Sequence, residues 1–496
     1  MTIYYVNSAT GSDRNSGTNQ TSAFATLSKV ESLKLKPGDS VLLAKGSVFN
    51  EQFDIKYSGT DSAPIKIGSY GTGAAPVIHS GGDGIHSLYA SNIVVENLKI
   101  SNSGGSAISG GSVSNWTVRH VEVDKSGLSG ETGAMNFRNS KNITIENSTI
   151  SGAKGDGVWI DKVEGFKLLN NTVTNSHGAK ADAVQVNDSS NILIRGNHLD
   201  QTNADSPKGV LVLIRPENAV VENNTLSGGG FGISAQAGKN VAIRDNDISE
   251  FHGYSWSFAV GLGDEGNTRD YDIAGNHIHD GAWGVVITAP ADAPSYTRTN
   301  IKVHDNVFDD LSQSALKVDR PASGSFSNNT IESGTNATNI SPSIVDAHTV
   351  SNNHTVANVE TALASPVVTT AAVTEAPADP AVVAVHDNLK IITDTGDAHR
   401  GNLLENDTSD NGTLVLRRFG DEGVGKDGLT LTGDYGVIHV DPEGNYAYTL
   451  DETKLPTNDH DGHVSETFSY GIDDGNSYHS DGDTLTVYLH MDSLLS

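Results

Sequence analysis

Asp156, Asp182 and Lys208 each stand immediately before a short alternating stretch: Gly157-Val-Trp-Ile, Ala183-Val-Gln-Val and Gly209-Val-Leu-Val. The intervals between them are 26 and 26 residues. If those stretches are equivalent strands of stacked coils, neighbouring rungs lie about 4.8 Å apart, which brings the carboxylates to roughly 5 Å and Lys208 about one rung further. Paired carboxylates at that spacing can serve as acid and base or nucleophile, and a hard cation prefers carboxylate oxygens. A Lys or Arg beside them can abstract a proton if the site lowers its pKa. Asp156, Asp182, Lys208 and Arg215 are therefore the candidate catalytic residues, and Asp156, Asp161 and Asp182 the candidate ligands of Ca²⁺. The competing reading is ordinary loop-end charge, with Lys208 relieving the repulsion between two acids.

The outward positions of the same strands supply a mixed surface. Read coil by coil they are Asn136 and Arg138, Trp159 and Asp161, Gln185 and Asn187, Leu211 and Leu213, and Ser234 and Gln236, with Arg215 just past its strand. A purely structural solvent face would carry more Lys, Glu and Thr and would not need Trp159 outside. His177, Lys180 and Asp205 sit in the loops that feed the charged positions. The loop EFHGYSWSF, residues 250–258, and Tyr296 offer aromatic faces near the groove rim. Arg138, Trp159, His177, Lys180, Gln185, Gln236, Tyr254 and Trp256 are the expected substrate-binding residues. His86, His120, His198, His277, His279 and His304 occur singly on repeat positions and read as packed or solvated rather than as ligands.

The elements that must position these residues come from an internal repeat. NIVVENLKIS from Asn92, NITIENSTIS from Asn142, NILIRGNHLD from Asn191, NAVVENNTLS from Asn218, NVAIRDNDIS from Asn240 and NIKVHDNVFD from Asn300 align, with less regular copies from Asn115, Gly165, Asp270 and Gly324. Each copy reads as a first short strand, a two-residue break, a second short strand, a loop, and a third strand with apolar residues at alternate positions. Three strands in about 22 residues make one coil of a right-handed parallel β-helix, here of about ten coils. The break carries Asn171, Asn197, Asn224, Asn246, Asn276, Asn306 and Asn329. These asparagines are expected to take the left-handed corner conformation and to stack inward as an amide ladder. The Asn-X-Ser/Thr sequons at Asn115, Asn142 and Asn147 are by-products of the repeat.

Two stretches carry family resemblances. TIYYVNSATGSDRNSGT, FATLSKV, LKPGDSVLLAKGSVFNEQFDI and SGTDSAPIKIGSYGTGAAPVI closely resemble the opening of pectate-lyase-like β-helix enzymes, which act on acidic polysaccharides. The resemblance spans roughly residues 3–335 and implies a capping helix, here Ala25 to Leu35, that protects the open strand edge. Further on, HDNLKIITD, GNLLENDTSDNGTLVL, LTGDYGVIHVDPEGNYAYTLD and ETFSYGIDDGNSYHSDGDTLTVYL resemble a VCBS-type repeat, a cadherin-like β-sandwich of secreted bacterial proteins. Short strands with a turn every 8–12 residues agree with that. Together the halves resemble the rhizobial secreted exopolysaccharide glycanases and lyases. In a lyase of this kind Ca²⁺ or Arg neutralises a uronate carboxylate, and Lys208 or Arg215 would take the C5 proton. In a hydrolase Asp156 and Asp182 would form the carboxylate pair, with retention at a spacing near 5 Å. The polygalacturonase signature of an Asn-Thr-Asp followed by Asp-Asp and the Asp-Pro-His-Glu signature of mannuronan epimerases are absent, which favours elimination. A non-catalytic adhesin is the third reading.

Composition bounds the rest. The chain has 496 residues, no Cys, and a net charge of −29. Zero Cys excludes disulfides, a thiol nucleophile and thiolate metal sites. The acidity disfavours nucleic acid and anionic membranes as partners, and no apolar run is long enough to span a bilayer. No basic-then-apolar leader stands at the start, so the expectation is a secreted monomer exported without a cleaved Sec signal, by a type I route, and associated with exopolysaccharide or the cell surface. Residues 366–382, PVVTTAAVTEAPADPAV, have no Gly, aromatic or basic residue and read as an extended linker. The expected domains are the β-helix catalytic domain 1–365, that linker, and a β-sandwich 383–496. Asp407, Asp410, Asp473 and Asp474 fall in its expected turns as candidate Ca²⁺ ligands or solvated acids.

Overall fold

The computed structural model describes residues 1–130, 133–179, 181–204, 208–288, 296–341, 348–357, 359, 382–383, 387–391, 398–404, 407–409, 414–420, 422–454, 463–473, 480–481 and 484–490. The chain divides into two compact units, Met1–Pro366 and Val367–Ser496. Of the expected linker only Val382 lies among the described residues.

The first unit is a parallel β-solenoid of about 11 turns whose strands form one 35-stranded sheet. Every ladder between coils is parallel, for example Val158↔Val184 and Val184↔Leu211. The interior is a continuous apolar column built from the alternate positions of each strand, including Val118, Ile145, Leu168, Ile194, Val221 and Ile243, all fully buried. The capping helix is shorter than the sequence suggests, Leu27–Glu31, with Thr26 Oγ1 accepting from the Lys29 N–H at 3.0 Å. Leu27 and Val30 close the open end of the core, and Glu51 binds the first-turn N–H groups of Leu27 and Ser28.

The asparagine ladder runs inward as expected. Asn171, Asn197, Asn224, Asn246, Asn276, Asn306 and Asn329 are buried. Each Nδ2 donates to the Oδ1 of the next coil at 2.8–3.1 Å. The corner conformation is assigned differently from the expectation. The left-handed residue is the one before each ladder asparagine: Asn170, Gly196, Asn223, Asp245, Gly275, Asp305 and Asn328. That residue makes the turn, and the ladder asparagine follows with its side chain directed inside. A second, outer ladder joins Asn92, Asn115 and Asn142, and again Asn191, Asn218 and Asn240. These asparagines are themselves left-handed.

The second unit contains small, largely antiparallel sheets consistent with a small β-sandwich. One joins Asp387–Ile391, Thr484–His490, His463–Asp473 and Val415–Phe419; the other joins His399–Asn402, Asn445–Leu450, Gly436–Val440 and Leu429–Thr432. Its core holds Leu416, Phe419, Tyr448, Tyr470 and Val487. Asp407 is buried against the Tyr470 hydroxyl, and Asp473 pairs with Arg417. Asp410 and Asp474 lie outside the described residues.

Candidate functional site

The third strands form the exposed face on which the candidate residues fall, and their register corrects two expectations. The outward columns are Asn136–Trp159–Gln185–Val212–Ser234 and Arg138–Asp161–Asn187–Ile214–Gln236. Leu211 and Leu213 therefore point inward and are fully buried, and Val212 and Ile214 take the outward places. Val210 to Ile214 are all apolar, so alternation cannot fix which face is which, and the register slips by one residue relative to the sequence alignment. The same slip displaces Lys208. Asp156 stacks on Asp182, but the rung above Asp182 belongs to Gly209, 27 residues on. Lys208 stands one residue earlier, exposed, with its carbonyl accepting from Gly230 at 2.9 Å.

Both carboxylates bridge coils. Asp156 Oδ1 accepts from the N–H of Asp182 at 2.8 Å, and Asp182 Oδ1 accepts from the N–H of Gly209 at 2.9 Å. Asp83 makes the same bond to Ser106 lower in the stack. Asp156 is 9% exposed and Asp182 is 1% exposed. Burial pushes Asp156 up to about 6, against the opposing bond from Asp182 and the Lys208 charge. Burial, with the neighbouring Asp156 charge, pushes Asp182 up to about 7. The two like charges on adjacent rungs oppose each other's ionisation, which adds to burial in raising Asp182. Glycine at 209 lets the Phe231 ring pack over the rung: a Cβ there would lie 2.2 Å from it and would force the ring to shift.

Above the acids the same column becomes aromatic, with Phe231, Phe258 and Trp283 on successive rungs. Phe231 and Phe258 stack at 5.2 Å. Trp256 lies 6.2 Å from Phe231 and 6.3 Å from Phe258, and Tyr254 stacks on Trp256 at 4.6 Å with planes 10° apart. Tyr254 is 51% exposed and Trp256 48%, so the cluster has a buried base and an open face. The Lys317 ammonium sits 4.4 Å over the Trp283 ring. Phe231 and Phe258 complete this platform, and the signal for them is the aromatic identity of consecutive rungs.

The remaining candidates divide. Trp159 and Gln185 are half-buried neighbours on one outward column, and Arg138 is exposed on the other. Asp161 belongs with Arg138, three strand residues beyond Val158, which is about 10 Å of chain. It stands apart from Asp156 and Asp182 and contacts Lys162 at 3.6 Å, so a three-aspartate cation site does not assemble. Arg215 is held by Asp188 at 2.5 Å and 3.0 Å, with Glu265 at 3.9 Å. The bond to Asp188 raises its pKa, which suits a fixed cation and not a base. Gln236 is buried; its amide donates to Ser234 and Gly261 and accepts from Asp264, so it holds a loop and has little left for a ligand. His177 is half-buried and tied by its N–H to Ala153, and Tyr296 is half-buried. Lys180 and Asp205 lie outside the described residues.

A second cluster was not legible as one. Asp247, His277 and His279 converge on the outward side of the second strands, with Asp309 and Asp280 around them. The histidines lie 30 or more residues from Asp247, and only the rung spacing makes them neighbours.

A family profile described as the right-handed β-helix region matches residues 75–212 and 170–353, more than half of the chain. The chain belongs to the right-handed β-helix family. Two curated relatives match short stretches. A lacto-N-biosidase of Bifidobacterium longum is 47% identical over 87 residues, 16% of this chain and 5% of its own. The calcium-binding lectin RapA2 of Rhizobium johnstonii is 41% identical over 96 residues, 18% of this chain and 40% of its own. The chain thus spans well under half the length of the curated relatives it matches. Among solved β-helices, the complex of XylC with xylose superposes with a TM-score of 0.50 at 9% identity, covering 70% of this chain and 86% of that one. That likeness is one of fold.

Proposed function

We propose that this β-helix protein binds and cleaves an acidic bacterial exopolysaccharide laid along its third-strand face. The observation that carries the reading is the axial column that runs from Asp156 and Asp182 through Gly209 to Phe231 and Phe258, flanked by the open Tyr254–Trp256 stack. Stacked aromatics with one exposed face suit the apolar faces of sugar rings, and a line of rungs about 4.8 Å apart suits a polymer and not a single small molecule. The names of the short curated matches, a glycosidase and a lectin, support carbohydrate as the ligand class.

The chemistry proposed is β-elimination beside a uronic acid. Lys208 is the exposed group above the acid pair and would abstract the C5 proton. Arg215 and Arg138 would offset the substrate carboxylate, and Ca²⁺ is proposed as a further neutraliser there, with Asp156 the more accessible of the buried pair. Asp182 is too deeply buried to touch substrate; it positions Lys208 through the Gly209 N–H. Hydrolysis is the second reading, favoured by one observation: an Asp156 carboxyl held near 6 retains a proton at mildly acidic pH, as a general acid must. The protein is proposed to act outside the cell. The test is to incubate it with several acidic exopolysaccharides, with and without Ca²⁺, following viscosity, reducing ends and far-ultraviolet absorbance together. New reducing ends with an unsaturated chromophore support elimination. Reducing ends without it select hydrolysis, and retention of an intact polymer selects the adhesin.

A further inference from the structure

We propose that Asp247, His277 and His279 form a binding site for one transition-metal ion of the zinc class, independent of the polysaccharide face. Asp247 lies on the strand Asp247–Ser249, and His277 and His279 come from the next coil, in and just past the strand His277–Ile278. One ligand atom from each lies within 4.8 Å of the other two. His277 Nδ1 is 3.4 Å from Asp247 Oδ2, and His279 Nε2 is 3.2 Å from Asp247 Oδ1. Those separations match the edge of a coordination tetrahedron, about 3.3 Å for metal–ligand bonds near 2.0 Å.

The outer contacts carry the argument further. His277 Nε2 is 3.2 Å from Asp309, and His279 Nδ1 is 2.6 Å from Asp280. Each imidazole is thus held at one nitrogen by its own carboxylate, and both present the other nitrogen to Asp247. Histidines that bind metal are oriented in this way, with the distal N–H donated to a carboxylate. His277 Nδ1 is buried and makes no hydrogen bond, although it faces Asp247. The site is partly open, with side-chain exposures of 19%, 21% and 31% for His277, His279 and Asp247, which leaves room for water to complete the shell. Imidazole donors select borderline metals over Ca²⁺. In a chain without cysteine such an ion would fasten adjacent coils.

The test uses the full chain, stripped with a chelator and then titrated with ZnCl₂ at pH 7.5 by calorimetry, with thermal melting and metal content after gel filtration alongside. The expected result is one zinc retained per chain, a raised melting temperature, and no displacement by excess CaCl₂. His279→Ala and Asp247→Asn should each weaken binding by about tenfold or more. His304→Ala, in a similar Asp-flanked setting one coil on but without a third ligand, should leave it unchanged. Circular dichroism of the metal-free variants checks that they fold, and Co²⁺ absorption in the wild-type protein reads the ligand set if a variant does not. Absence of stoichiometric zinc, or binding that both variants retain, overturns the site and leaves an ion-pair network.

Discussion

At the scale of single residues, the acid pair sets two expectations. Lys208→Ala should lower turnover on the cleaved polymer by about 100-fold or more if it is the base, with unchanged circular dichroism. Arg215→Ala should instead raise KM more than it lowers kcat, because an arginine already paired with Asp188 acts as a positioned charge; equal losses from both variants would argue against that division. The second expectation concerns pH. Asp182 is raised from 3.8 to about 7, so the folded state holds a proton that the unfolded chain releases. Its contribution to stability is complete below pH about 4 and is lost as pH rises through about 7. Asp182→Asn keeps an oxygen to accept the Gly209 N–H and removes the titration. The melting temperature of the wild type should therefore fall more between pH 5 and pH 8 than that of the variant; parallel slopes would refute the raised pKa.

At the scale of the element, the inner asparagine ladder and the outer one share a residue type but not a role. Asn246 Nδ2 donates to the carbonyls of Val221 and Arg244 and to Asn276, while its Oδ1 accepts the N–H groups of Asn224. All of this is buried, and each group left without a partner costs about 1–3 kcal/mol. Asn246→Ala should therefore destabilise by several such increments, read as a large drop in melting temperature, whereas Asn218→Ala in the exposed outer ladder should cost only about 1–2 kcal/mol, mainly from placing Ala in the left-handed conformation. The contrast was half legible in the sequence. The recurrence of asparagine at the two-residue break gave the coils, the inward ladder and the strand order. It did not reveal that the preceding residue takes the left-handed turn. Nor could it fix the strand Gly209–Ile214, where both faces are apolar, so Lys208 was assigned the rung that Gly209 occupies. The histidine cluster was lost for another reason. Asp247 and His277 each follow a ladder asparagine, so their rungs were legible, but the convergence of His279 on the same carboxylate depends on side-chain directions that spacing does not report.

At the scale of the whole molecule, the net charge and the proposed acidic substrate are in tension. Residues 1–366 hold 37 acids and 26 bases, net −11, and residues 367–496 hold 24 acids and 6 bases, net −18. Both units carry net negative charge, and the second carries the larger share. The repulsion between exposed charges is screened over about 10 Å at 0.1 M salt, so moderate salt should speed encounter with an acidic polysaccharide and leave the short-range contacts at Tyr254 and Trp256 intact. The two compact units have separate cores, one around the coil stack and one around Phe419, Tyr448 and Tyr470. A chain cut after Pro366 should accordingly keep the solenoid's melting transition and its cleavage of soluble polymer. It should also depend less on salt than the full chain, because the more charged unit is gone. Initial rates for both chains on one soluble acidic exopolysaccharide, measured from low salt to 0.15 M, separate the possibilities. A flatter salt response with preserved melting is the expected outcome. An equal salt response in both chains would mean that the tail's charge is held away from the groove. Collapse of the solenoid on truncation would mean that the first unit does not fold without the second.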